Sequence, residues 1–167
     1  MRVQQRRQKD IGTRQIVAEP ASDGGPARVL ALDVGENRIG LAVSDELALT
    51  ALSLETYHRI RVRDDVAHIG RLAATHQAAL VLLGLPLNLD GSEGPQAAYV
   101  RDFGRRLETR AGLRVAYWDE RLSSVEASSI LAAQPHSGRR EKGDIDRVSA
   151  ALLLQEYLDA QRAGGVE

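Results

Sequence analysis

The chain has 167 residues, 43% hydrophobic and 27% charged, with a net charge of −1 and no cysteine. That size and composition suit one globular domain, able to bury roughly two-thirds of its unfolded surface. Disulfides, thiolate nucleophiles and cysteine zinc sites are excluded; no apolar run approaches the roughly 20 residues a membrane span needs; MRVQQRRQKD lacks a secretory apolar core, so a cytoplasmic location is expected.

Residues 1–28 hold six Arg/Lys against three acids, and the remainder sixteen against twenty. Residues 1–27 are expected to form a disordered basic leader, ending in the turn-rich ASDGGPAR. The folded domain is expected over 28–162, with 163–167 as a tail. Strand one runs from Val29 to about Val34, and strand two from about Arg38 to Ser44. Gly35–Glu36–Asn37 turns between them, since Gly and Asn tolerate positive φ. A third strand is expected over Ala51–Tyr57. Asp64 to His76 reads as a helix with Val66, Ile69, Leu72 and Ala73 on one face. ALVLLGL, from Ala79 to Leu85, is a continuous apolar run and suits a strand buried on both faces. PLNLDGSEGP is a loop. The next helix places Val100, Phe103, Leu107 and Ala111 on one side and stops at Gly112. RVAYW is the fifth strand, central enough that Tyr117 and Trp118 are expected to pack in the core. Ser123 and Glu126 have capping-box spacing for a short helix reaching about Ala133. Gln134–Gly143 is a polar loop. Asp144 is placed to cap a last helix whose apolar face includes Ile145, Val148, Leu152 and Leu158. Short turns make the first three strands antiparallel, and helical crossovers make the later ones parallel. The fold class is therefore α/β, a mixed five-stranded sheet (three antiparallel then two parallel strands) with helices on both faces.

One feature of this pattern is out of place. Asp33 follows the apolar Val29–Leu32 directly, and a carboxylate in an apolar strand needs a strong partner. Asp119 and Glu120 end strand five, and Asp146 lies in the first turn of the last helix, with Asp144 just before it. Such a sheet can bring these acids to one edge. Gathered carboxylates repel unless something positive joins them. Oxygen-only donors favour Mg²⁺ or Mn²⁺ over zinc. Two such ions, roughly 4 Å apart, suit phosphodiester cleavage. Each acid also has a plain structural reading: Asp144 as a cap, Asp119 as a salt-bridge partner of Arg121.

Four segments together, ALDVGENRIGLAVSD, GLPLNLDGSEGP, DERLSSVEA and KGDIDRVSAALLLQEYL, resemble the YqgF family. Those bacterial proteins have a ribonuclease H-like fold and are described as Holliday-junction resolvases and as nucleases that mature the 5′ end of pre-16S rRNA. The resemblance spans Val29 to Leu158 and implies a nuclease domain over 28–162. It matches Asp33 to the family's first-strand acid, Asp119 and Glu120 to its acidic pair, and Asp146 to the acid of its last helix. Metal-ligand roles are expected for Asp33, Glu120 and Asp146. Glu120 is favoured over Asp119 because its longer side chain bridges better from strand five toward strand one. Arg38, Asn88, Arg121 and Lys142 are expected at phosphates. The expected activity is metal-dependent hydrolysis of pre-rRNA. A branched- or single-stranded-DNA resolvase is the alternative, and a non-catalytic ribosome-assembly factor the second. A resolvase would act as a homodimer, whereas an rRNA nuclease can be a monomer.

Overall fold

A computed structural model of the protein describes residues 27–122 and 142–164. Residues 1–26 of the expected 1–27 leader, the short helix near Ser123–Ala133 and nearly all of the Gln134–Gly143 loop lie outside the described residues.

The chain runs β1 (Arg28–Val34), β2 (Arg38–Ser44), β3 (Ala51–His58), α1 (Val62–Thr75), β4 (Ala78–Leu85), α2 (Pro95–Ala111), β5 (Val115–Asp119), a 3₁₀ turn (Glu120–Leu122) and α3 (Lys142–Gly164). The sheet order is β3-β2-β1-β4-β5. β1–β2 and β2–β3 pair antiparallel, whereas β1–β4 and β4–β5 pair parallel. This is the expected mixed sheet, with β1 at its centre.

Two cores form because β1 and β4 are buried on both faces. Leu30, Leu32, Val81, Leu83 and Leu85 point to one side, against Val66 and Ile69 of α1 and Val100, Phe103 and Leu107 of α2. Val29, Ala31, Leu80 and Leu82 point to the other, where α3 packs Ala150, Leu153, Leu154, Tyr157 and Leu158. Strand alternation is what sends successive residues to opposite faces. Pro95 starts α2 where its missing N–H costs nothing, and Gly112 ends it at φ 65°.

Five expectations need correcting. The β1–β2 turn uses no positive φ at Gly35 or Asn37. Instead the Gly35 N–H donates to the Arg38 carbonyl at 2.8 Å, and a Cβ at 35 would press to 3.0 Å from that oxygen. β5 is an edge strand, not a central one. Trp118 is nonetheless buried, because α3 reaches over β5 and sets Tyr157 edge-to-face against it at 5.7 Å. α3 begins at Lys142, so Asp144 lies inside its first turn rather than capping it. The buried stripe of α3 is offset from the expected one: Leu158 belongs to it, but Ile145 is 52% exposed. α3 also runs to Gly164, two residues into the expected tail.

Candidate active site

The site forms at the edge of the sheet where β1, β4 and β5 end. Asp33 is the penultimate residue of β1, opposite Gly40 of β2. Asp119 closes β5 and Glu120 opens the 3₁₀ turn. Asp146 arrives from the first turns of α3.

Two glycines make this convergence possible, and neither carries a signal in the sequence pattern. Gly84 of β4 lies between β1 and β5. A Cβ there would overlap Oε1 of Glu120 and come within 2.5 Å of Leu153 Cδ1. The Glu120 carboxylate thus crosses β4 over a bare backbone to face Asp33. Gly40 does the same for α3: a Cβ there would overlap the Asp146 carbonyl and come within 2.9 Å of Arg147 N. Gly40 therefore admits the backbone of α3, not the phosphate backbone that a strand glycine can also admit.

The electrostatics follow from this packing. Burial first, and Asp146 second, raise the Asp33 pKa to about 6. Burial first, then Asp33 and Asp119, raise that of Glu120 to about 7. Neither has an ion-pair partner among the described residues. Asp119 is the opposite case. Arg121 Nε donates to both of its oxygens at 3.0 and 3.1 Å, and Nη2 donates to Oδ2 at 2.6 Å. That partner holds Asp119 below the usual carboxylate range. Asp146 accepts from Arg38 Nε at 2.7 Å. Among the described residues no three Asp, Glu or His side chains gather at ligand spacing. Arg38 engages Asp146, and Asp33 and Glu120 form the adjacent pair.

Of the other expected residues, Asn88 donates from Nδ2 to Ser92 Oγ at 2.8 Å, within the loop before α2. Arg121 Nη1 donates to the Leu89 carbonyl at 3.2 Å, linking that loop to Asp119. Lys142 opens α3, and its side chain is outside the described residues. Asp45 lies in the β2–β3 loop, where its Oδ1 accepts from the Leu49 and Thr50 N–H groups.

A buried clamp is absent from the sequence reading. Arg59 and Asp65 pair at 2.9 Å with side chains 6% and 1% exposed. Arg59 Nη1 donates to the Gly35 carbonyl at 2.8 Å, and its backbone N–H to the Asn37 carbonyl at 3.0 Å. Its guanidinium lies 5.3 Å and 5.2 Å from the ring centres of Tyr99 and Phe103. The turn between Asp33 and Arg38 is thereby tied to α1 and α2. In RIRVRDD these charges look like a solvated helix start, and nothing in the pattern signals their burial.

A family model described as "RuvX: Holliday junction resolvase" matches residues 27–160. The chain belongs to the RuvX family. Similar RuvX relatives include the "Putative pre-16S rRNA nuclease" of Syntrophus aciditrophicus (strain SB), 47% identical over 133 residues, covering 80% of this chain and 89% of that protein. The protein of the same name from Myxococcus xanthus (strain DK1622) is 44% identical over 135 residues, covering 81% and 89%. RuvC from T. thermophilus, solved with a Holliday-junction substrate, superposes with TM-score 0.56 at 16% identity over 84% of this chain and 98% of that one. The yeast mitochondrial resolvase Ydc2 gives 0.54 at 11%, over 83% and 80%. These likenesses show that this chain has a ribonuclease H-like fold.

The uncompensated pair gives a pH-dependent stability. A carboxyl whose pKa is raised by folding holds its proton more tightly in the folded state. Stability is then fully present below the unfolded values near 4 and falls as pH rises through about 6 to 7. At about 1.4 kcal/mol per tenfold change in proton affinity, with solvent reaching both groups and the two coupled, the loss is about 2–4 kcal/mol. Thermal melts in EDTA are expected to show it as a Tm that drops between pH 5 and pH 8. In Asp33→Asn the drop should be much smaller; an equal drop in both proteins would contradict this assignment.

Proposed function

We propose that this RuvX protein is a divalent-metal-dependent nuclease that hydrolyses phosphodiester bonds in maturing the 5′ end of pre-16S rRNA. The observation that carries the reading is the recessed, adjacent pair Asp33 and Glu120 at one sheet edge, with Asp146 brought to the same edge by α3 over Gly40. A protein that only binds a polyanion gains nothing from recessed carboxylates without a counter-charge. The substrate assignment rests on the names of the relatives.

The donor set fits a hard cation: it is all oxygen, and burial first and neighbouring carboxylates second raise the pKa of two of its members. Asp33, Glu120 and Asp146 would hold Mg²⁺ or Mn²⁺, as two ions. Bound there, the metal supplies Lewis-acid stabilisation for charge building on the phosphodiester. Arg38 is proposed to pass from Asp146 to a substrate phosphate, a target its planar guanidinium suits. Arg121, Asn88 and Lys142 are proposed to line the same phosphate path, with Arg121 also keeping Asp119 neutralised. The reaction is placed in the cytoplasm, and a monomer or a homodimer is compatible with it. No described helix is long and apolar enough to cross a membrane.

The test is cleavage with Mn²⁺ of a 16S precursor 5′ end beside a four-way DNA junction. Preferential cutting of the RNA is expected; cutting of the junction alone would favour the resolvase reading. Within this assay Glu120→Gln should lose at least about 100-fold in rate, a barrier increase of about 2.7 kcal/mol, while Asp119→Asn should lose much less. Full activity in the Glu120 variant would remove Glu120 from the metal site.

A further inference from the structure

The exposed large apolar side chains among the described residues are not scattered. Leu47, Leu49 and Leu52 lie at the β2–β3 loop and the start of β3. The other four lie at the end of the sheet that carries the carboxylates: Ile60 at the β3–α1 junction, Leu89 in the β4–α2 loop, Tyr99 early in α2 and Ile145 next to Asp146 in the chain. Leu89 is the extreme case, 97% exposed.

Its loop is built to keep it there. Leu87 and Glu93 form an antiparallel bridge at the base. The Asn88 N–H donates to the Ser92 carbonyl at 2.9 Å, and the Gly91 N–H to the Asn88 carbonyl at 2.8 Å. Asp90 Oδ1 accepts from both the Ser92 N–H (2.9 Å) and its hydroxyl (2.6 Å). Arg121 holds the Leu89 carbonyl from outside while gripping Asp119, the neighbour of Glu120. The polar groups of the loop are thus spent on its shape, and the leucine is held out in water beside the acids. Flanked by Asn88 and Asp90, it is too narrow an apolar feature to be a protein-docking patch. A single apolar tooth on a rigid loop fits between two stacked bases, where it displaces stacking and bends the strand.

We propose that Leu89 is a wedge that enters a base step of the nucleic acid substrate next to the scissile phosphate. This rests on the nuclease reading above for its substrate. Leu89 so placed is a positioning residue: it sets which phosphate lies over Asp33 and Glu120.

The test uses RNA oligonucleotides spanning a 16S precursor 5′ end, each with 2-aminopurine at one position, and a matching DNA set. Binding is read in an Asp33→Asn background so that nothing is cut. Fluorescence should rise several-fold at one step as that base unstacks. Adding Leu89→Ser should abolish the rise and weaken binding about tenfold, while Leu89→Trp should keep the rise. The slope of affinity against salt should not change, because no charge is altered. With Asp33 intact, Leu89→Ser should blur the cleavage position. An unchanged fluorescence rise in Leu89→Ser, or no rise in either set, overturns the wedge. A Leu89-dependent rise in a protein that cuts neither substrate sustains the wedge and sinks the nuclease reading instead.

Discussion

Asp33→Asn is expected to lower metal-dependent cleavage by about 10³-fold or more while leaving the protein folded. Asp33 sits on the central strand, and Glu120 and Asp146 both act on its carboxyl or are acted on by it. The amide keeps the shape of the side chain but removes the charge that a cation requires. It also removes repulsion that the metal-free fold endures at neutral pH. The same substitution should therefore raise the Tm of the metal-free protein at pH 8 and shrink the further rise produced by Mn²⁺. Activity and stability moving in opposite directions separates loss of a ligand from loss of structure. A variant that is inactive and also less stable at pH 8 would mean that Asp33 serves the fold, and that the metal reading is wrong.

Gly40→Ala is expected to be the most disruptive single methyl group in the described chain. Its Cβ would overlap the main-chain carbonyl of Asp146, not a side chain that can rotate away. Either α3 lifts from the sheet or β2 distorts. Overpacking of a tight interface costs about 1–3 kcal/mol, and more where only backbone can give. α3 carries one whole core, so lifting its first turns loosens Leu153 and Leu154 as well. The variant should lose at least about 3 kcal/mol in urea unfolding and nearly all cleavage. Gly84→Ala is a useful contrast. There the overlap is with the end of the Glu120 side chain and a Leu153 methyl. If Gly40→Ala melts like the parent protein, the close approach of α3 to β2 is not needed for folding.

Much of this was legible in the residues themselves. The apolar run at Ala79–Leu85 reads as a strand buried on both faces, Val29–Leu32 reads as a strand, and Gly112 does end α2 in the left-handed conformation. Asp33 stood out because a carboxylate has no place in such a run without a purpose. What escaped notice shares one physical character. Periodicity reports which side of an element is buried, not what lies opposite it. Gly40 and Gly84 work through the absence of a side chain, so they print no pattern. The Arg59–Asp65 clamp is a buried contact between residues that, in sequence, resemble a charged surface. The edge position of β5 depends on strand order, which neither strand length nor composition encodes. The stripe on α3 was misplaced because Ile145 is apolar yet faces water beside the site.

α3 has a consequence for how the protein is made. It is the last described element, and among the described residues it alone supplies the helical cover for one face of the sheet. Its ion pair to Arg38 spans 108 residues. A nascent chain that has emerged only as far as the 3₁₀ turn holds Asp33 and Glu120 but lacks Asp146, and without α3 its sheet leaves Val29, Ala31, Leu80, Leu82 and Trp118 without their helical cover. Completion of the hydrophobic face and completion of the carboxylate set are one event, the docking of α3 over Gly40. On the metal reading proposed above, an unfinished copy lacks one of its three proposed ligands while one face of its sheet is still bare.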